Sequence, residues 1–336
     1  MLPIAIDVMS GDHEPREYVA GALRALADDP QLRALLVGDP NIICAALAAV
    51  PAAIRERAAV HPSSQVVAMD DKPREAIRRK KDSSMRLAID QVHQGRACAC
   101  VSAGNTGALT AIAHFVLRTL PGVERAAIIS AIPAAHGLTH MLDLGANTKA
   151  TPEQLLQFAA MGTIVAREVY GVASPRVGLL NIGEEDIKGT EGVQAAHALL
   201  GPSALNYVGF VEGNDIFSGG VDVVVTDGFT GNVALKTMEG VARLIADRLR
   251  QEFQASFLDR LAGLAARRVL RRAAAGLDPR RYNGACMVGL TGIVVKSHGS
   301  ADGVAFARAV GTAALAARRD VTSHIARALH TQGAAN

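Results

Sequence analysis

The sequence predicts a three-layer α/β/α sandwich built on a largely parallel β-sheet. Two patterns predict it. Short apolar runs are continuous rather than alternating, as in strands buried on both faces, and amphipathic helical segments separate them. The composition allows such a fold, because 336 residues with 49% hydrophobic and 20% charged side chains can bury a sizeable core.

The first apolar run, Ile4–Val8, follows no basic segment and is interrupted by Asp7, so it reads as a buried strand rather than a signal peptide. Further strands are expected at Ala34–Val37, Ala58–His61, Ala97–Ser102, Ala126–Ala131, Leu138–Leu144, Arg176–Asn181, Asn206–Gly209, Val221–Thr226 and Gly292–Lys296. The helices carry start signals. Thr151-Pro152-Glu153-Gln154 supplies an N-cap, a proline at the first helical position and a glutamine placed to close a capping box. From about Glu239 to Ala275 the pattern stays helical without a strand signal, and it turns basic between Arg260 and Arg281. The expectation is a single α/β domain over residues 1–336, carrying a basic helical protrusion at about 239–282.

Several function classes are disfavoured. A net charge of +3, 4% aromatic residues and no tryptophan give no platform for nucleic acid. Cys44, Cys98, Cys100 and Cys286 form neither a disulfide framework nor a C-x-x-C pair, which points to a reducing, cytoplasmic setting. No run of ~18 apolar residues is present to span a membrane. The chain has no G-x-G, no Gly-Lys pair, no G-x-S-x-G and no H-E-x-x-H, so the dinucleotide, P-loop, hydrolase-elbow and zinc-protease signatures are all missing. No metal and no cofactor are expected. Glu184 and Glu185 read either as a cation pair or as a solvated helix start.

The turns after five strands share a composition. They read AGNTGAL, GANTKATPE, IGEEDIKGTEG, DGFTGN and SHGSAD, each polar, glycine-bearing and leading to a helix. Ligands of open α/β sheets bind at the carboxyl ends of the strands, and a helix N-terminus there favours an anion. Asn105, Asn147 and Asn232 are neutral donors suited to an oxyanion or a phosphate oxygen. Lys188 and Lys236 are point cations, and Thr230, Gly231, Ser297 and Ser300 can donate to an anion. His298 is either a proton carrier or a loop histidine bonded to backbone. The set assigns Asn105, Lys188 and His298 to catalysis. It assigns Asn147, Thr230, Gly231, Asn232, Lys236, Ser297 and Ser300 to phosphate or substrate binding on one sheet edge.

The motifs VSAGNTGAL (101–109), DLGAN (143–147), LLQFAAMG (155–162), VGLLNIGEEDIKGTE (177–191), VDVVVTDGFTGNVALKTMEG (221–240) and GIVVKSHGSAD (292–302) resemble the acyl-acyl carrier protein:phosphate acyltransferases of bacterial phospholipid synthesis, the PlsX family. RKKDSSM (79–85) and DVMSGDHEP (7–15) fit as well, so the resemblance runs nearly end to end. It implies a fold akin to phosphotransacetylases and the isopropylmalate dehydrogenase type. It also implies transfer of a long-chain acyl group from acyl carrier protein to inorganic phosphate. The implied partners are acyl carrier protein, phosphate, a second copy in a homodimer, and a membrane glycerol-3-phosphate acyltransferase that takes the acyl phosphate. The implied setting is the cytoplasm, with peripheral contact at the inner face of the cell membrane.

The sequence departs from the family at Ser10-Gly11, where Gly-Gly is common, at Lys149, and at Cys286-Met287. Arg267, Arg268, Arg271 and Arg272 read as a docking face for carrier protein or membrane, beside an apolar stripe of Phe253, Phe257, Leu261 and Leu264. The other reading packs that stripe on the dimer mate. Three further functions stay open: a phosphotransacetylase acting on a short acyl-CoA, a nicotinamide-dependent hydroxyacid dehydrogenase, and a non-catalytic docking scaffold.

Overall fold

The structure is a computed structural model, and it describes residues 1–277 and 279–333. The side chains of Arg271 and Arg281, both in the expected basic run, lie outside the described residues. The chain runs β1 (Ile4–Asp7), α1 (Pro15–Asp28), β2 (Ala34–Gly38), α2 (Pro40–Ala48), α3 (Ala52–Arg55), β3 (Ala58–Pro62), α4 (Pro73–Arg79), α5 (Ser84–His93), β4 (Ala99–Ser102), α6 (Thr106–Leu117), β5 (Ala127–Pro133) and β6 (Leu138–Leu142). It continues through α7 (Pro152–Tyr170), β7 (Val177–Leu180), α8 (Glu191–Leu200), β8 (Tyr207–Val211), β9 (Val223–Val225), α9 (Gly228–Glu252), α10 (Phe257–Leu277), β10 (Ala285–Val288), β11 (Ile293–Lys296), α11 (Gly303–Arg318) and α12 (Val321–Gly333). The capping box at Thr151 and Gln154 forms, and Gly171 closes α7 in the left-handed conformation.

The strands order as β3-β2-β1-β4-β11-β10-β5-β6-β9-β7-β8. Most neighbours are parallel, but β10 runs antiparallel to both β11 and β5, and β5 runs antiparallel to β6. The half-sheet β3-β2-β1-β4-β11 therefore points opposite to the half-sheet β6-β9-β7-β8. This corrects the expectation of one shared sheet edge. The antiparallel β5–β6 pair turns the second half over, while β10, opposed to both of its neighbours, is the strand absent from the expected list, because ACMV is short and lacks β-branched residues apart from its valine. From β11 to β9 there are four strand steps, and twist of about 20–25° per step turns one half by roughly a right angle against the other. The carboxyl ends of both halves can then approach a common cleft.

Side chains alternate across the sheet into two cores. Ile4, Ile6, Val223, Val225 and Val295 pack with residues of α1, α2, α7, α8, α11 and α12. Ala5, Cys100, Val224 and Val294 pack with residues of α4, α5 and α6 and with Ala234, Leu235 and Met238 of α9. These two apolar layers explain the continuous apolar strands. Beyond Gly240, α9 leaves the second core. Its side chains Val241, Leu244, Ile245 and Leu249 are exposed, and α10 returns the chain towards β10. Phe253 turns inward against Gly263, whereas Phe257, Leu258, Leu261 and Leu264 remain exposed, so the expected stripe is divided. Among the described residues, no helix is long and apolar enough to cross a membrane.

Candidate active site

Three neighbouring strands end in a polar row. Asp7, Ser102 and Lys296 pair in register across β1, β4 and β11. Strand alternation places all three on the side of the second core. Asp7 and Ser102 are fully buried and Lys296 is only 9% exposed. The Ser102 hydroxyl donates to Asp7 at 2.7 Å, and the other Asp7 oxygen accepts from the Met9 and Ser10 amides. Gly104 follows directly. A Cβ there would lie 2.7 Å from Ser10 Cβ and 2.5 Å from Met85 Cε, so only glycine lets the turns after β1 and β4 close together. The Ser10 hydroxyl is buried without a partner.

The turn after β11 lies against this row. Lys296 Nζ donates to the Ala103 carbonyl at 3.1 Å and to the Ser297 carbonyl. Burial pulls its pKa down to about 8, opposed by the more distant charges of Asp12, Asp7 and Glu239. Asn283 braces the turn: its amide donates to Ser297 Oγ and Ala305 O, both at 2.8 Å, and its carbonyl accepts from the His298 amide at 2.9 Å. Ser300 donates through its amide (3.2 Å) and hydroxyl (2.9 Å) to His298 Nδ1. The proton of a neutral His298 therefore sits on Nε2.

Helix α9 brings the second half-sheet into contact with this turn. Lys236 lies about 12 Å along α9 from Gly228 at 1.5 Å per residue. There its Nζ comes within 3.4 Å of His298 Nε2. Both groups are donors, and both turn towards Glu239, at 2.8 Å from Lys236 and 3.6 Å from His298. Burial alone would raise the Glu239 pKa, but hydrogen bonds from His298 and Lys236 hold it down at about 2. The charge of Lys236 is thus already partly matched by a carboxylate.

A second corner forms where β6 and β9 end. The buried Asp143 accepts from the amides of Ile128 (2.9 Å), Gly145 (3.2 Å), Ala146 (3.0 Å) and Asn147 (2.7 Å), and from the Asn147 side chain at 3.0 Å. Burial raises its pKa, and these hydrogen bonds oppose the shift. Asn147 also donates to Ala126 O at 2.7 Å, and its carbonyl accepts from Gly228 at 2.8 Å. Thr230 gives its amide and hydroxyl to Asp227, the N-cap of α9, at 2.9 and 2.8 Å. Gly231 donates to the Asp227 carbonyl and packs directly on the Asp143 carbonyl. Asn232 is exposed and lies beside Gly145.

The structure thus joins His298, Ser297, Ser300 and Lys236 in one cluster, and Asn147, Thr230, Gly231 and Asn232 around the start of α9. Asn105 caps α6 by accepting from Ala108 at 3.0 Å, and it holds the Met69 carbonyl at 2.6 Å and the Asp71 carbonyl at 3.2 Å. Lys188 is exposed in the turn after β7, where its carbonyl accepts from Asn181 at 3.2 Å. Among the described residues, no hydrogen bond or ion pair links its side chain to the His298 cluster. Arg267, Arg268 and Arg272 are exposed on α10. Sequence reasoning passed over Asp7, Ser10, Asp143, Glu239, Asn283 and Lys296. For two of them a signal existed: IAID and GIVVK are apolar runs that end abruptly in a charge. Cys100 and Cys286 are buried, the latter pushed up to about 12 by burial, so neither offers a thiolate.

Over residues 2–324 the chain matches the family described as fatty acid synthesis protein. A phosphate acyltransferase from Alkalilimnicola ehrlichii is 56% identical over 328 residues, covering 98% of this chain and 96% of that protein. This chain belongs to the fatty acid synthesis protein family. A second phosphate acyltransferase, from Methylococcus capsulatus, is 56% identical over 310 residues, covering 92% of this chain and 91% of that protein. Among solved structures, a phosphotransacetylase from Streptococcus pyogenes superposes with a TM-score of 0.62 at 16% identity, covering 94% of each chain. That likeness places the fatty acid synthesis protein fold with the α/β phosphotransacetylases and, at this identity, speaks to fold alone.

Proposed function

We propose that this chain transfers a long-chain acyl group from acyl carrier protein to inorganic phosphate, giving acyl phosphate for phospholipid synthesis. The relatives at 56% identity carry the name phosphate acyltransferase, which supports phosphate as the acceptor. The observation that carries the reading is the meeting of Lys236, His298 and Glu239 where α9 crosses the turn after β11. It puts a cation and an imidazole beside the polar row of Asp7, Ser102 and Lys296, at strand ends from both halves of the sheet.

Phosphate is a nucleophile at neutral pH, so the reaction needs no covalent enzyme intermediate. The protein must hold phosphate against the thioester carbonyl, stabilise the oxyanion and release the thiol. Proximity and fixed donors supply most of that acceleration. Lys236 serves the phosphate as a point charge, and His298 Nε2–H serves as a donor to the phosphate or the oxyanion. Lys188 and Asn232 act from the facing turns, and Asn105 and Asn147 fix the geometry of theirs.

The exposed stripe Val241, Leu244, Ile245 and Leu249 on α9 is the face we assign to a homodimer. The exposed Arg267, Arg268 and Arg272, with Phe257, Leu258, Leu261 and Leu264, form the face we assign to acidic carrier protein. The acyl phosphate then passes to a membrane glycerol-3-phosphate acyltransferase, with this enzyme in the cytoplasm at the membrane's inner face. The test is phosphate-dependent release of free carrier protein from palmitoyl-acyl carrier protein. Lys236→Ala should raise the phosphate KM by at least about tenfold, as expected for loss of a charged contact of 1.5–3 kcal/mol. Faster turnover with acetyl-CoA than with the carrier-protein donor would mark a phosphotransacetylase, and no turnover with either would mark a scaffold.

A further inference from the structure

The reaction leaves one proton unassigned. Hydrogen phosphate dianion and a thioester give acyl phosphate dianion and a thiol, so the proton of the phosphate ends on sulfur. His298 is poorly placed to carry it, since Nδ1 accepts from Ser300 and Nε2 faces the anionic Glu239. The polar row offers another group.

Lys296 is a buried ammonium with no ion-pair partner in direct contact among the described residues. No carboxylate among the described residues pairs with it, although buried cations are normally paired. Two of its three N–H donors go to the Ala103 and Ser297 carbonyls, and the third has no hydrogen-bond partner among the described residues. Those two carbonyls belong to the turns after β4 and β11, at the carboxyl end of the sheet where ligands of such folds bind. A second orphan stands in the same place. Ser10 Oγ is buried and unpartnered on the turn that closes against Gly104, the residue after Ala103. Two unsatisfied buried polar groups on adjoining turns describe a place that a polar substrate atom completes.

We propose that Lys296 is a catalytic residue that hands its proton to the departing sulfur. This rests on the phosphate acyl transfer reading above. Phosphate oxygen attacks the carbonyl carbon and a C–O bond forms. The C–S bond then breaks with its electron pair going to sulfur. The Lys296 ammonium protonates that sulfur, and its amine recovers a proton from the phosphate, so atoms and charge balance over one turnover. The acidity matches the task. Burial lowers Lys296 to about 8, near the ordinary value of an alkyl thiol, so transfer is close to thermoneutral while the group is still mostly charged at pH 7. The charges around it are Asp7 on β1, Asp12 in the following turn, Lys236 and Glu239 on α9, and the imidazole of His298. The carboxylates favour the ammonium, Lys236 opposes it, and desolvation exceeds them all.

The test compares two donors of one acyl chain: acyl-acyl carrier protein, whose alkyl thiolate needs a proton, and an aryl thioester, whose leaving thiolate is stable without one. Lys296→Met and Lys296→Arg should each lose about 100-fold or more in kcat with the carrier-protein donor, the usual size of a lost general acid, and far less with the aryl donor. The alkaline limb of kcat near pH 8 should vanish in both variants. Equal losses with both donors would make Lys296 structural or purely electrostatic. A rise in phosphate KM with kcat intact would make it an anion anchor. Either result overturns the proposal. The wild-type enzyme supplies an arm that needs no folded variant, because kcat across aryl and alkyl thioesters should vary little with the acidity of the leaving thiol. A steep dependence also refutes proton delivery. Absence of phosphate-dependent transfer by the wild type with every donor would instead refute the functional reading beneath it.

Discussion

Gly231 is a helical residue without a positive φ, so conformational freedom does not explain it. Close approach does. A Cβ at this position would lie 1.9 Å from the Asp143 carbonyl oxygen and 3.2 Å from Thr226 Cγ2. A carbon–oxygen contact needs about 3.3 Å, so Gly231→Ala must open the junction by roughly 1.4 Å. Neither side yields easily. Asp143 is tied by hydrogen bonds to Ile128, Gly145, Ala146 and Asn147, and α9 is held by its Asp227 cap and by Gly228 on Asn147. Alanine brings back about 1 kcal/mol of helix propensity. Overpacking of this depth against backbone costs more than the usual ~1–3 kcal/mol, so a net loss of about 3 kcal/mol or more follows. Because the same helix carries Lys236 to His298, the phosphate KM should rise with it. Gly240 is the control. It is exposed on the same helix with nothing within 4 Å of a Cβ, so Gly240→Ala should gain about 0.5–1 kcal/mol and leave kinetics alone. Denaturant midpoints and phosphate titrations of the two variants decide. A Gly231→Ala enzyme with wild-type stability and phosphate KM refutes the argument that this contact positions α9.

Three further outcomes are expected. Glu239→Gln frees Lys236 and His298 from their carboxylate, so the phosphate KM should fall by about 3–10-fold, the scale of one screened charge. Glu239 is held at about 2, below its ordinary 4.5, so its contribution to stability is present above pH 4.5 and is lost as pH falls towards 2. The stability gap between wild type and Glu239→Gln, about 1–2 kcal/mol after solvent screening, should therefore close over that window in acid melts. Replacing Cys44, Cys98, Cys100 and Cys286 with alanine or serine should leave phosphate-dependent turnover largely intact, and an acyl group trapped on any of these sulfurs would contradict direct displacement. Reversing Arg267, Arg268 and Arg272 to glutamate should raise the KM for acyl-acyl carrier protein in a salt-sensitive way while the phosphate KM stays put. An unchanged donor KM at low salt would remove the docking role from α10.

The sheet and the polar turns were legible because their signals are local. Continuous runs such as VVV at β9 and IVV at β11 announce strands buried on both faces, and Thr151 with Gln154 announces a helix start. What escaped was relational. The run ACMV gives little strand signal, yet as β10 it stands antiparallel between β11 and β5, and the antiparallel pairing of β5 with β6, which neither run announces by itself, sets the turns across a cleft instead of along one edge. Glu239 reads as the first residue of a protrusion, and only the passage of α9 over the turn after β11 sets it between Lys236 and His298. Thr230 reads as a free donor, and only the cap geometry shows both its donors spent on Asp227. Lys296 was visible as a lone charge closing an apolar run, a mismatch between pattern and chemistry of the kind that marks functional positions.

The location of phosphate tests the account most directly, and a crystal soaked in inorganic phosphate measures it. The account predicts a single strong phosphorus peak in the cleft between the start of α9 and the turns after β4 and β11. Lys236 Nζ or Lys296 Nζ should lie about 2.8 Å from a phosphate oxygen, the length of a charge-assisted hydrogen bond. The contradicting result is an empty cleft with phosphate bound elsewhere, for instance in the surface groove lined by Arg86, His93, His114 and Arg118.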